Sequence, residues 1–349
     1  MNKKDLVNLF LGLNKKAKYI FGTNQYGLLV ARNMQQEVIF INEISRVDLF
    51  EGYKVIHNLD EIYKDAIVLN SIMSSYPITI KGKLDNAGIM NIDLFSLIKY
   101  CDLPIEIEYW KGFKESYSKR KDEYDKLYDS LSDEKSKDTF RRLMDVRLNF
   151  NIDSMNVFKV DEINQYYASF LNLQEEGESF VDVGGFDGNT TLQFIKRCPR
   201  YDKVYFFEPE PDIMMKAKEN LAGNDNIEYF QFAASNKKEI LHFSSNNSAS
   251  KVTDSGEIEI HAEKIDTLVH SKVTFIKMDI EGSESLAIEG ARETIMKYHP
   301  RLAICVYHKG ADYVDIPRQV LSIRNDYDLY MRHYTEGVTE TVMFFMPKK

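Results

Sequence analysis

The stretch Ser179 to Thr191, SFVDVGGFDGNTT, constrains the fold more than any other part of the chain. Phe180, Val181 and Val183 make a short apolar run that reads as a buried strand. Gly184, Gly185 and Gly188 follow as a tight turn, and a helix opens at Asn189 or Thr190. Strand, glycine turn and helix in that order predict an α/β sheet. The strand carries Asp182 to its C-terminal end, which is where ligands sit in open sheets of this kind. Glycines in the turn let the backbone come close to a ligand with no Cβ in the way.

The spacing narrows the ligand. A dinucleotide turn, G-x-G-x-x-G ending at Gly188, needs glycine at 183, and Val183 stands there. The turn instead reads Asp182-Val-Gly-Gly-Phe-Asp-Gly188, with an acid ahead of it. A carboxylate suits a cation better than a pyrophosphate, and S-adenosylmethionine carries a sulfonium, an ammonium and no phosphate. Lys203–Glu208, KVYFFE, is a second apolar strand ending in an acid. Glu208 lies about twenty residues past Gly188, where nucleotide-binding α/β folds grip ribose hydroxyls. Pro209 and Pro211 end that strand, and Asp212 is positioned to cap a helix over 213–221. A turn that packs strand against helix and binds nothing is the competing account.

At 349 residues the chain has room for two domains. A net charge of −9 argues against a broad nucleic-acid footprint, which requires a basic surface. Cys101, Cys198 and Cys305 are too scattered for a disulfide framework or a zinc site, which makes a reducing cytoplasm the expected location. The opening MNKKDLVNLFLGL reads as a short amphipathic helix, and no apolar run reaches the roughly 18 residues a membrane span needs.

Ahead of the organising strand, residues 18–22, 37–41, 55–57 and 66–70 read as short strands, with a helix over 26–34 and a helical turn at 60–61. Gly22-Thr-Asn-Gln-Tyr-Gly27 between strand and helix resembles the turn of the N-terminal Rossmann-like domain of bacterial sugar acyltransferases. That resemblance implies a small α/β domain with a nucleotide-sugar site; a domain that only packs or dimerises is the alternative. Residues 94–100 read as a helix. Residues 111–147 alternate charges of both signs around apolar positions at helical spacing, which predicts two solvated helices, the second capped by Ser132 and Asp133. Asn164–Leu173 reads as an amphipathic helix. The expected division is therefore 1–104 as a small Rossmann-like domain, 105–172 as a helical linker or cap, and 173–349 as the ligand-binding domain.

Beyond 221, strands are expected at 227–232, 239–243, 258–262, 273–279, 302–307, 327–333 and 340–346. Ala233-Ala234-Ser235 is a small-residue turn against which a flat adenine fits, and 244–256 is a polar loop of lid-like composition. The segment Phe275-Ile-Lys277-Met-Asp279-Ile-Glu281-Gly282 then brings three ionisable side chains to one strand end. Burying such charges costs several kcal/mol each unless they are paired, so either a site or a structural ion cluster is implied.

DVGGFDGNTT, FFEPEP, the AAS turn, KIDTL, FIKMDIEGSE with EGA after it, and PRLAICVYH occur in that order over 179–308. Together they resemble the FkbM family of S-adenosylmethionine-dependent methyltransferases. The resemblance covers the C-terminal half and implies a class I methyltransferase Rossmann-like sheet, preceded here by the smaller α/β domain and the helical linker. It implies O-methyl transfer to a hydroxyl of a sugar, nucleotide-sugar or related glycan or secondary metabolite. Cofactor contacts are then expected from Asp182 at the methionine ammonium, Gly184, Gly185, Gly188, Glu208 at the ribose, Ala233, Ala234 and Asp279. Asp279 and Glu281 are the candidate base or hydroxyl-orienting groups, with Lys277 paired to them or acidifying the acceptor. His308 is the other candidate base. Asp279, Glu281 and His308 are also donors that a magnesium-like ion accepts, so a divalent metal stays open. A non-catalytic nucleotide-sugar-binding scaffold and an NAD-dependent oxidoreductase are the alternatives. A small-molecule or glycan acceptor is the expected partner, with self-association left open.

Overall fold

A computed structural model describes residues 1–12, 17–244, 251–252 and 258–348. They form two compact units: Met1–Lys114 with Phe140–Val160 and Tyr334–Thr339, and Glu115–Thr139 with Asp161–His333 and Glu340–Lys349.

The first unit begins with helix α1 (Lys3–Leu11) and strand β1 (Lys18–Phe21), followed by α2 (Gln25–Arg32) and β2 (Val38–Ile41). Then come β3 (Leu49–Phe50), β4 (Tyr53–Ile56), β5 (Ile67–Asn70), α3 (Pro77–Asn86), β6 (Met90–Asp93) and α4 (Leu94–Tyr100). The strands lie in the order β3-β4-β2-β1-β5-β6, parallel except for the β3–β4 pair. β1, β2 and β5 are buried at every position, as strands covered on both faces must be. The Gly22–Gly27 turn is closed by the protein itself. Asn24 accepts from the backbone N–H groups of Tyr26 and Gly27 at 3.0 and 2.9 Å, capping α2. A Cβ on Gly22 would lie 2.5 Å from Ile72 Cδ1, and one on Gly27 would lie 2.9 Å from Ser71 Oγ. α3 and β6 were not foreseen. α3 starts with Pro77 at its first turn, and its Thr79 N–H and hydroxyl donate to the Glu336 carboxylate at 2.7 and 2.5 Å.

The region 111–147 forms three helices where two were expected: α5 (Phe113–Lys119), α6 (Lys121–Ser130) and α7 (Glu134–Asn149). The boundary between the units falls within α5 and α7. Asp133 caps α7, accepting from Ser136 N at 2.7 Å, and forms an ion pair with Arg332 at 2.6 Å.

The second unit continues with β7 (Ser179–Val183), α8 (Asn189–Arg197), β8 (Lys203–Phe207), α9 (Pro211–Asn220) and β9 (Ile227–Phe230). A side sheet uses β10 (Ala233–Ala234), β11 (Glu239–Ser244), β12 (Lys251–Val252) and β13 (Ile258–Glu263) in the order β10-β13-β11-β12. After α10 (Ile265–Leu268) come β14 (Phe275–Met278), α11 (Glu284–Gly290), α12 (Arg292–Tyr298), β15 (Arg301–Cys305), α13 (Asp312–Ile323), β16 (Tyr327–His333) and β17 (Thr341–Pro347). The main sheet has seven strands in the order β16-β17-β15-β14-β7-β8-β9, with β17 antiparallel to both neighbours. This is the expected class I sheet. β7 and β14 lie side by side in parallel at its centre, so the chain leaves them on opposite sides and opens a crevice at their C-terminal ends.

Three local expectations are corrected. Residues 164–173 do not form a helix; two 3₁₀ turns, Glu162–Asn164 and Ser169–Leu171, flank Gln165, Tyr166 and Tyr167, whose side chains are engaged elsewhere. Asp212 is not the cap of α9, because Pro211 starts that helix and Glu210 occupies the cap position. Ala233–Ala234 is a short strand paired with β13. Residues 245–250 and 253–257 of the expected lid lie outside the described residues.

Candidate active site

In the register of β7 and β14, Lys277 stands beside Asp182. Lys277 Nζ lies 3.1 Å from Asp182 Oδ1 and donates to the carbonyls of Gly184 at 2.5 Å and Val183 at 3.3 Å. The other Asp182 oxygen accepts from Thr191 Oγ1 at 2.8 Å. Burial on its own would lower the Lys277 pKa, but the Asp182 and Asp279 carboxylates outweigh it and hold the ammonium above its usual range. Lys277 therefore pairs with Asp182, not with Glu281, and the pair anchors the turn from beneath. Asp182 is 0% exposed, which removes it from the surface a methionine ammonium would touch.

The glycines serve the same packing. A Cβ on Gly184, at φ +75°, would lie 2.0 Å from the Asp279 carbonyl, and one on Gly185 would lie 2.2 Å from the Phe206 ring. Gly188, at φ +84°, packs against Leu221. The space the turn leaves is filled by the protein, and the loop is locked onto the exit of β14. The Glu208 carboxylate accepts from Phe186 N at 3.2 Å and Glu210 N at 2.9 Å. A carboxylate has about four acceptor sites, so capacity remains for two further donors. Burial, against those two N–H bonds, pushes Glu208 up to about 7.

Past β14 the backbone turns sharply. Glu281 is left-handed at φ 54°, a conformation that costs a non-glycine residue about 1–3 kcal/mol and marks a candidate functional position. His308, after β15, is enclosed by acids. Its Nε2 lies 3.4 Å from Asp279 Oδ1 and 3.8 Å from Glu281 Oε2, and its Nδ1 lies 2.9 Å from Glu284 Oε1. Glu284 also accepts from Ile280 N at 3.0 Å, which ties the start of α11 to the exit of β14. Asp279 Oδ2 accepts from Tyr166 Oη at 2.5 Å. Side chains of His308 and Glu284 are 2% and 1% exposed, whereas those of Asp279 and Glu281 are 23% and 24% exposed. Burial opposes ionisation of Asp279, but His308, Lys277 and the Tyr166 hydroxyl prevail and hold it below the usual carboxylate range. Burial would lower His308, yet Glu284 first, then Asp279 and Glu281, raise it to about 10. The three acids thus favour the charged imidazole, with Nδ1 facing Glu284 and Nε2 facing Asp279.

Thus Asp279, Glu281 and His308 converge as expected, while Lys277 belongs to the turn. Sequence reasoning assigned no role to Glu284, Tyr166, Gln165, Tyr307 or Glu340. Half-buried Glu340 accepts from Tyr307 Oη at 3.2 Å and from Gln165 Nε2, which donates to Tyr166 Oη at 2.7 Å. Glu340 has φ 65° and, through burial first and Asp279 next, is raised to about 7. Glu284 was visible as the last acid of FIKMDIEGSE; the other four carry no sequence signal beyond polarity in an apolar setting.

The methyltransferase FkbM domain model matches residues 182–332. A curated relative, 2-O-methyltransferase NoeI of Sinorhizobium fredii (strain NBRC 101917 / NGR234), is 22% identical over 151 residues, 36% of this chain. The match spans 62% of that relative's length. The crystal structure of methyltransferase FkbM from Methylobacillus flagellatus KT superposes with a TM-score of 0.78 at 22% identity, covering 99% of this chain and 94% of that one. The shared fold therefore includes both units.

Proposed function

Because residues 182–332 are an FkbM methyltransferase domain, we propose that this protein is an S-adenosylmethionine-dependent O-methyltransferase acting on a hydroxyl of a sugar, nucleotide-sugar or related glycan or secondary metabolite. The observation that carries the reading is the pair of partly exposed carboxylates, Asp279 and Glu281, at the central crevice beside the turn that Glu208 and Lys277 hold. The relative named as a 2-O-methyltransferase supports oxygen as the acceptor atom.

The residues fit the cofactor. The spare acceptor capacity of buried Glu208 suits ribose hydroxyls, and the acid excess around the crevice suits a sulfonium and an ammonium. When bound, the cofactor supplies an electrophilic methyl group and leaves as the thioether. Glu281, accessible and at a strained backbone position, accepts the hydroxyl proton as the acceptor oxygen forms its bond to carbon. Asp279, ionised and fixed by Tyr166, orients that hydroxyl. Proximity and alignment contribute several kcal/mol to such a displacement. His308 and Glu284 set the position and charge of both acids. Glu281→Gln is expected to lower kcat by about 10²–10⁴-fold with little change in S-adenosylhomocysteine affinity, measured by labelled methyl transfer to a panel of sugar and nucleotide-sugar acceptors. Full turnover in the variant excludes Glu281 as the base.

A further inference from the structure

The structure assigns Glu340 a positioning role: it directs the Tyr166 hydroxyl onto Asp279 by fixing which end of the Gln165 amide faces Tyr166. The Glu340 carboxylate is held at both oxygens, Oε1 accepting from Tyr307 Oη at 3.2 Å and Oε2 from Gln165 Nε2. The same amide nitrogen donates to Tyr166 Oη at 2.7 Å, and Tyr166 Oη donates to Asp279 Oδ2 at 2.5 Å. The use of this chain of bonds in catalysis rests on the methyltransferase reading; its geometry does not.

Donor counting gives the chain one direction. An ionised carboxylate only accepts, so the end of the Gln165 amide turned to Glu340 is its NH₂ group, which has two hydrogens and accepts nothing. One hydrogen goes to Glu340 and the other to Tyr166. A tyrosine hydroxyl has a single hydrogen. Since its oxygen already accepts from Gln165, that hydrogen is left for Asp279, the Cys305 sulfur at 3.6 Å being the weaker partner. Glutamine at position 340 removes the constraint, because its side chain offers an NH₂ group as readily as an oxygen. The Gln165 amide is then free to turn over, and its oxygen competes with Asp279 for the tyrosine hydrogen.

Gln165 and Tyr166 are both buried, so water is a poor substitute for either partner. The Lys277 ammonium lies 5.1 Å from the centre of the Tyr166 ring, which holds the ring against the ion pair under the turn. Glu340 is left-handed at φ 65°, a costly backbone state that persists where the surroundings over-determine it and that clusters at functional sites. Asp279 meets His308 at Oδ1 and Tyr166 at Oδ2, so loss of the tyrosine bond leaves one oxygen of the orienting carboxylate unheld.

The test compares Glu340→Gln alone, with Tyr166→Phe and with Gln165→Met, by labelled methyl transfer to the sugar and nucleotide-sugar panel and by calorimetric titration with S-adenosylhomocysteine. Tyr166→Phe and Glu340→Gln are each expected to lower kcat by about 10- to 100-fold, the worth of one hydrogen bond to a charged group, with S-adenosylhomocysteine affinity unchanged. Glu340→Gln is expected to cost nothing further on top of Tyr166→Phe, and Gln165→Met, which takes away the competing oxygen, is expected to restore most of the Glu340→Gln loss. A Glu340→Gln loss that persists in both backgrounds overturns the positioning role, as does a kcat that Glu340→Gln leaves unchanged. Fluorine NMR of the full chain with 3-fluorotyrosine at position 166 reads the hydroxyl's surroundings with no acceptor present. Glu340→Gln is expected to move that resonance in the same direction as Asp279→Asn, and an unmoved resonance overturns the proposal even where no acceptor in the panel is methylated. An unaltered chain that binds no S-adenosylhomocysteine overturns the methyltransferase reading instead, with the fluorine resonance still deciding whether Glu340 directs Tyr166.

Discussion

Replacing Lys277 by Met tests whether the ion pair under the turn holds the candidate cofactor site together. In the folded protein the ammonium is 3% exposed and its Asp182 partner 0%. Removing one member of a buried pair leaves the other charge uncompensated and typically costs about 3–5 kcal/mol. The Val183 and Gly184 carbonyls lose a donor at the same time. For a unit of about 200 residues each kcal/mol lowers the melting temperature by about 2–4 °C, so the second unit is expected to melt about 6–20 °C lower. Lys277→Met with Asp182→Leu removes both charges and is expected to recover much of that loss, since the apolar replacement of a whole pair is often neutral. Differential scanning calorimetry of both variants, with S-adenosylhomocysteine titrations on each, reads stability and loop integrity separately. If Lys277→Met melts within about 2 °C of the unaltered protein and keeps its affinity, the anchoring role is refuted.

Glu208, raised to about 7 by burial against two backbone N–H bonds, gives a pH signature. Ribose hydroxyls donate to the ionised carboxylate, so S-adenosylhomocysteine affinity is expected to tighten by up to about tenfold per pH unit as pH rises toward 7 and then level off, with Glu208→Gln removing the slope. In the unliganded protein the sign is opposite: the folded-state pKa exceeds the ordinary 4.5, so this group favours folding most below 4.5 and progressively less up to about 7, as pH-dependent denaturation checks. Gly185→Ala places a methyl 2.2 Å from the Phe206 ring and is expected to destabilise the second unit by about 1–3 kcal/mol and weaken cofactor affinity, by calorimetry and titration.

Much of the main sheet was legible because its central strands are short, mostly apolar runs: FVDV, VYFF and FIKM are buried at every position, Asp182 and Lys277 included. The acids at their ends were legible as charges that packing alone does not explain. Their pairing was not, because it depends on register across the sheet. Lys277 meets Asp182 from 95 residues away because β14 lies directly beside β7, and no periodicity within one segment reveals that. The same holds for Glu340, which reaches Tyr307 and Gln165 from beyond β16. The segment 164–173 misled because its apolar spacing imitates a helix; tertiary partners prevail, with Tyr166 bonded to Asp279 and Tyr167 donating to the Thr190 carbonyl at 2.6 Å. α13 was missed because Pro317 stands inside it, where a proline ordinarily argues against a helix. Among the described residues, no helix is long and apolar enough to cross a membrane.

The central claim is that the crevice at β7 and β14 binds S-adenosylmethionine. Calorimetric titration of the full chain with S-adenosylhomocysteine and, in parallel, with NADH tests it most directly. Micromolar binding of the first, lost in Lys277→Met, and none of the second is the predicted result. Absence of S-adenosylhomocysteine binding by folded protein, or binding of NADH in its place, contradicts the account.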